Sequence, residues 1–406
     1  MRVKDLPAPF RVLLQGQFGL FVGGNALSLT GTWMQRIACS WLIWDWTGSA
    51  FWLGVLAAGD LLPVVVIGPL AGVAADRWDR LKQNRIAQGL SALLAIALAV
   101  LLSFDELDIV TLVTCVTLQG TLIAAVQPAR LAMVQEMVPR EDMSVAVALN
   151  SVNVNLARLL GPAVAGLMIV HFDIVWVFLL NALFTLVFVL ILGQLKLTPR
   201  KTRPLEGNFL SLLREGFVYV LRTPAMRVIL SVLLLGGVVV RSMLELVPAI
   251  AELAFSNTTT GLAVITGAAA VGAVISGLTV RGGQSERMLY SVILWWGLGA
   301  IAAYVLTHVL YASLAIGAAG VMGASITRGM VGTQTVVQLT TPDSLRGRAL
   351  SVHGLIARGS PALGALAIGY TADLIGLPPT VALASGLLLI MLIVLLTMAR
   401  KIKTEF

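Results

Sequence analysis

The chain has 406 residues, 58% of them hydrophobic and only 12% charged, with a formal net charge of +8 and a mean hydropathy of +0.92. Such a chain cannot be an ordinary soluble domain, because too few polar side chains are present to clothe it in water. The positive balance does not indicate a nucleic-acid binder: the basic residues recur between apolar runs with no aromatic-studded patch, which is the pattern of topogenic charge.

Crossing the ~30 Å hydrocarbon layer takes about 20 apolar residues per helix, and about twelve stretches qualify. In chain order they are 16–44, 51–74, 84–103, 107–131, 144–170, 173–195, 225–250, 258–281, 286–307, 310–335, 347–372 and 378–399. No run shows the ~10-residue period-two alternation of a membrane barrel, so the expected fold is an all-α membrane protein. The short basic segment Met1 to Arg11 is followed by no small-residue cleavage site, so the first run reads as a retained helix. Arg and Lys concentrate before the first span and in alternate connections: Arg2, Lys4 and Arg11, then Arg77, Arg80, Lys82 and Arg85, then Arg140, then Lys196 to Arg222, then Arg281 and Arg287, then Arg346 and Arg348, then Arg400 to Lys403. The intervening connections hold Asp45, Asp105, Glu106, Asp108, Asp173, Glu252 and Asp373 without a cation. The positive-inside bias therefore puts both termini in the cytoplasm, which demands an even number of spans and fits twelve.

An internal repeat of about 200 residues relates Val138-Pro139 and Ala157-Arg158-Leu-Leu-Gly-Pro162 to Thr341-Pro342 and Ala357-Arg358-Gly-Ser-Pro361. It implies two six-helix bundles, 1–195 and 225–406, joined by a basic cytoplasmic linker at 196–224 in which 209–220 forms a surface helix. Parallel halves of this kind place a substrate site between them near the bilayer midplane. Cys39 and Cys115 lie in apolar runs as small packing residues, and His171, His308 and His353 are scattered. There is no nucleophile elbow, metal pair or Walker sequence, so an enzyme, a metal site and a cofactor are not expected.

The connection Gly68-Pro-Leu-Ala-Gly72-Val-Ala-Ala-Asp76-Arg77-Trp-Asp-Arg80-Leu-Lys82 resembles the hallmark cytoplasmic loop of the major facilitator superfamily. Gly72, Asp76, Arg77, Arg80 and Lys82 match its positions, and Asp79 stands where a second glycine is usual; the second half keeps only Gly277 and Arg281. The resemblance implies a conformation-dependent latch on the cytoplasmic side. Arg158-Leu-Leu-Gly161-Pro162-Ala-Val-Ala-Gly166 resembles the motif associated with the antiporters of that superfamily, with Ala157 and Ala165 replacing glycines. Ser28 to Arg36, Gln127-Pro128-Ala-Arg130, Val138-Pro139, Val147 to Arg158 and Leu345 to Arg348 are similar to the bacterial branch that includes enterobactin exporters and macrolide efflux proteins. What the likeness implies is a major facilitator fold of two pseudo-symmetric bundles in a bacterial inner membrane.

An ionisable group inside a span costs ~2.5–3.5 kcal/mol on insertion scales, so each one is a functional candidate. Arg36 and Asp60 both lie roughly 12–14 Å below the outer surface. Their pairing would allow protonation of Asp60 to drive helix movement, and it would equally serve as a static structural pair. Arg241 and Glu245, four apart, can pair on one helix face, or Glu245 can sit at the outer rim. In the resembled fold the first, fourth, seventh and tenth helices line the cavity, so Arg36, Arg241 and Arg328 look into it beside Gln119 and Gln127. Arg158 and Arg358 fall nearer the cytoplasm, in a gating or helix-end role. The excess of arginine suits anionic or hydrogen-bond-accepting substrates such as catecholate siderophores. Trp33, Trp41, Trp44 and Trp46 read as interfacial anchors, with a drug-binding aromatic wall as the sharper alternative.

The expected function is a secondary active transporter exporting a small siderophore-like or drug-like molecule by proton antiport and alternating access. The alternative is a non-concentrating lipid or metabolite facilitator or a transporter-like sensor. The expected partners are a small-molecule substrate, protons and membrane lipids, with no nucleic acid, for a monomeric chain.

Overall fold

The computed structural model describes residues 8–14, 16–197, 209–255, 258–279, 284–308 and 311–401, and the side chains of all of these except 8, 69, 70, 72–77 and 209–213. Every regular element among them is helical. Ten of the helices are long and apolar enough to cross a membrane. Two more, of 30 and 33 residues, carry too many polar side chains to be among those ten. The helices run within a few residues of the apolar stretches expected, because a run of about 20 apolar residues in lipid must satisfy its own backbone and does so only as a helix.

The chain divides into two compact units, Met1–Cys39 with Pro63–Leu205, and Ser40–Leu62 with Glu206–Phe406. The first contains α1 (Ala8–Leu14), α4 (Arg80–Ser103), α5 (Ile109–Met137), α6 (Met143–His171) and α7 (Val175–Gln194). It also holds the first part of α2 (Phe18–Thr47) and the last part of α3 (Ala50–Arg77). Its core gathers Phe18, Phe21, Met133, Val134, Phe188 and Leu192, with the Phe21 and Phe188 rings 5.8 Å apart. Carboxylates start two helices: Asp79 accepts from the Lys82 amide at 2.9 Å and Asp108 from the Thr111 amide at 2.7 Å. The bonds from Thr111 also hold the Asp108 carboxyl below its ordinary pKa. Asp79, the residue that departs from the family loop, thus caps a helix, a position where Asp is strongly favoured.

The second unit contains α8 (Phe209–Arg222), α9 (Pro224–Val239), α10 (Val247–Ala254), α11 (Thr258–Leu278), α12 (Ser285–His308), α13 (Ala312–Thr340), α14 (Asp343–Ile375) and α15 (Leu377–Lys401). Trp296 is wholly buried at its centre, and a Cβ added at Gly236 of α9 or Gly329 of α13 would lie 2.2 Å from the indole. Glycine at both positions is what lets three helices share one large side chain. Along α15, Val381, Ser385, Leu388, Leu392, Leu395 and Ala399 are buried while Leu383, Leu387, Ile390 and Val394 are exposed. A helix apolar on both faces, with one face bare, is what a lipid-bathed bundle requires.

Two readings are refined. The seventh stretch is not one helix: α9 ends at Val239, a 3-10 turn covers Arg241–Leu244, and α10 begins at Val247. Pro248 lacks an amide hydrogen to continue the α ladder, and Ser242 Oγ donates to the carbonyls of Val238 and Val239 at the break. The linker carries α8, held to α14 by Glu215–Arg348 at 2.5 Å. Linker residues 198–208, and Arg281, lie outside the described residues.

Candidate functional site

In the first unit, polar side chains cluster along α2, α5 and α6. Two arginines approach the Trp33 ring, with the Arg36 guanidinium carbon 5.1 Å and that of Arg158 5.2 Å from its centroid. Both distances fall within cation–π range. Gly161 is what brings α6 to that ring: a Cβ there would meet Trp33 Cβ at 2.4 Å and the Thr30 carbonyl at 3.1 Å. Pro162 and Gly166 follow on the same buried stripe. The antiporter-like segment therefore seals α6 against α2 and holds Arg158 over Trp33, a polar role for Trp33 that interfacial anchoring does not describe.

Gln119 and Gln127 of α5 line a cavity of about 60 Å³ together with Arg130 and with Gln88 and Ser91 of α4. Ser28 Oγ donates to Gln88 Oε1 at 2.9 Å beside it, and Asn181 Nδ2 donates to Gln35 Oε1 at 2.6 Å further along α2. Pro128 interrupts the α5 ladder, and Gln83 Nε2 donates to the nearby Ala125 carbonyl at 2.8 Å.

At the basic connection, Arg80 pairs with Glu136 at the end of α5, with side-chain exposures of 13% and 7%. Lys82 is exposed, its amide bonded to Asp79. The side chains of Gly72, Asp76 and Arg77 lie outside the described residues. Arg11 reaches Asp142 at 2.7 Å on the same unit.

In the second unit Arg241 Nη1 donates to Glu245 Oε1 at 2.8 Å, so the two pair across the 3-10 turn where an intact helix was expected. Arg328 is tethered to the end of α11: its Nε donates to Ser276 Oγ at 3.2 Å and its Nη2 to Thr279 Oγ1 at 2.7 Å, while its guanidinium lies 4.9 Å from the Trp295 ring. Asp60 is half-buried in the part of α3 that belongs to this unit, whereas Arg36 belongs to the other; both engage in polar or electrostatic interactions.

The hairpin 40–62 is bound to the end of α14. Asp373 accepts from the Ala50 amide at 2.8 Å, from the Ser49 hydroxyl and, more weakly, from the Phe51 amide at 3.4 Å. Trp44 Nε1 donates to Glu252. Gly54 and Gly369 make the contact close, since an added Cβ would lie 2.5 Å from the Ala365 carbonyl oxygen or 2.3 Å from that of Ala50. Sequence reasoning counted Asp373 and Glu252 only as charges in uncationic connections and missed Glu136 and Asp142 as ion-pair partners and Arg130 as a pocket residue. The one available signal for Glu136 was a carboxylate closing an apolar span opposite an arginine-rich connection.

Membrane-length helices enclosing fixed polar and ionic groups define a multi-pass membrane protein, and solved structures carry the same fold. A nucleoside transporter superposes with a TM-score of 0.75 over 95% of this chain and 99% of its own at 13% identity. A bacterial homologue of the human lysosomal transporter Spinster does so with 0.74 over 98% of each chain at 14% identity. Residues 7–405 match the model of the transmembrane secretion effectors, and the chain belongs to this family of major facilitator transporters; it is not an enzyme. It is 25% identical to macrolide efflux protein A of Streptococcus pyogenes over 94% of its length and 95% of that protein's. Identity to the multidrug efflux pump Tap of Mycolicibacterium fortuitum is 27% over 89% and 90%. The staphyloferrin A transporter of Staphylococcus aureus is 28% identical over a 172-residue stretch, so the chain spans only 43% of that protein.

Proposed function

We propose that the chain is a twelve-helix exporter of a bacterial inner membrane, both termini cytoplasmic, that moves a small siderophore-like or drug-like molecule outward by proton antiport. Residues 1–195 and 225–406, joined by the linker 196–224, alternate the access of a shared substrate site, and the protein works as a monomer among membrane lipids. The observation that carries this reading is the presence of carboxylates inside spanning segments, half-buried Asp60 and the Arg241-paired Glu245, where a charge is retained only for a task. Protonation of either one from outside would neutralise a fixed charge and shift the balance between two conformations. Outward direction is supported by the efflux proteins among the relatives.

Inverted membrane vesicles with an imposed pH gradient test direction and coupling together. The expected result is gradient-driven uptake of a labelled macrolide or a catecholate siderophore that is lost in Asp60→Asn or Glu245→Gln, with counterflow preserved. Uptake that ignores the gradient and survives both substitutions would make the protein a facilitator.

A further inference from the structure

We infer that the pocket between α2, α4 and α5 of the first unit binds a small monovalent anion, with Arg130 as its counter-charge. The inference concerns this unit alone and stands whether or not a molecule is exported.

Among the described residues that line the pocket, Arg130 is the one cation and there is no carboxylate. Its Nε is enclosed without a hydrogen-bond acceptor, and its guanidinium carbon lies 6.0 Å from the Phe188 centroid, at the edge of useful cation–π range. A guanidinium does not shed its proton to escape such a setting. Arg130 is half-buried, and a guanidinium nitrogen enclosed without an acceptor is costly, so the Nε edge favours a ligand where the described residues supply no partner.

The rest of the wall is made for the same ligand. Gln119 is only 7% exposed, lines the pocket, and its Oε1 has no partner. The two ends of an amide are interchanged by a half-turn of the terminal torsion, so an anion in the pocket would draw the Gln119 NH2 toward itself and relieve the orphaned oxygen. Ser91 and Gln127 add further donors. The cavity of about 60 Å³ has room for a halide or a carboxylate group in place of a few waters. Leu122 and Val126 close the remaining wall, and in their low-dielectric company a charge-assisted bond to the guanidinium is strong.

The ligand is therefore a free halide or a carboxylate, and the two can be told apart. The full chain, purified in detergent at constant ionic strength, is titrated with chloride or with acetate in place of a bulky sulfonate, and thermal unfolding is followed by tryptophan fluorescence. A specific site raises the midpoint saturably, because ligand that binds only the folded form stabilises it by mass action. Chloride acting alone assigns the pocket to a halide, and acetate acting at lower concentration assigns it to carboxylates. Arg130→Gln abolishes the saturable shift, and Gln119→Leu raises the half-saturating concentration about tenfold, as loss of a bond to a charged group should. Arg287→Gln removes an exposed arginine and leaves the titration unchanged. Should Arg130→Gln fail to fold, Gln119→Leu decides alone. Equal shifts with the sulfonate, a shift that never saturates, or identical titrations in wild type and Gln119→Leu would overturn the assignment and leave the pocket to water.

Discussion

Replacing Asp373 by alanine should loosen the start of α3. The carboxylate accepts one bond from the Ser49 hydroxyl and one of 2.8 Å from the Ala50 amide, while the third, from Phe51 at 3.4 Å, is beyond the usual N–H···O range and is set aside. Bonds to a charged acceptor contribute about 1.5–3 kcal/mol each when shielded. Asp373 is exposed, so water competes and salt screens, and helix-capping substitutions of this kind cost nearer 1 kcal/mol, with an upper range of about 2. A loss of about 1.4 kcal/mol is a tenfold change in the opening equilibrium. Hydrogen exchange at the amides of Ala50 and Phe51 reads that equilibrium directly, and Asp373→Ala should speed it about tenfold. Asp373→Asn keeps an acceptor oxygen but loses the attraction of the helix dipole, so its effect should be smaller, about threefold. Unchanged exchange at Ala50 in Asp373→Ala would refute the claim that this carboxylate holds the hairpin 40–62 to α14.

Gly161→Val should lower the thermal midpoint by an amount equivalent to about 1–3 kcal/mol, because even the first added carbon would meet Trp33 Cβ at 2.4 Å; a wild-type midpoint would show that α6 has room to withdraw. Glu136→Gln should destabilise by about 3 kcal/mol, since it removes the carboxylate that faces a largely buried Arg80. In a double-mutant cycle with Arg80→Gln the two losses should fall short of additivity by about 1–3 kcal/mol, and strict additivity would show that the pair is not coupled.

Twelve apolar runs, the alternation of charge between them and the repeat near Arg158 and Arg358 are local or periodic properties, so they could be read directly from the amino-acid order. The helices follow them closely, for a membrane leaves an apolar segment no alternative to bonding its own backbone. The loop around Arg80 and the segment around Gly161 were legible as motifs for the same reason: their spacing is short. What each motif touches was not. Glu136 as the partner of Arg80, Trp33 beside Arg158, and Asp373 on the first turn of α3 all join residues from separate helices. Such pairings depend on the rotation of each helix about its axis and on how closely small residues let two axes approach, and neither is encoded in hydropathy. The break at Arg241 belongs with them: the segment is apolar enough for one helix, and only packing around Pro248 and Ser242 decided that it bends there. The order of residues is enough to place the chain across a membrane as a set of helices; which of its scarce charges are neutralised from within follows from packing, because neutralisation requires contact and contact is long-range.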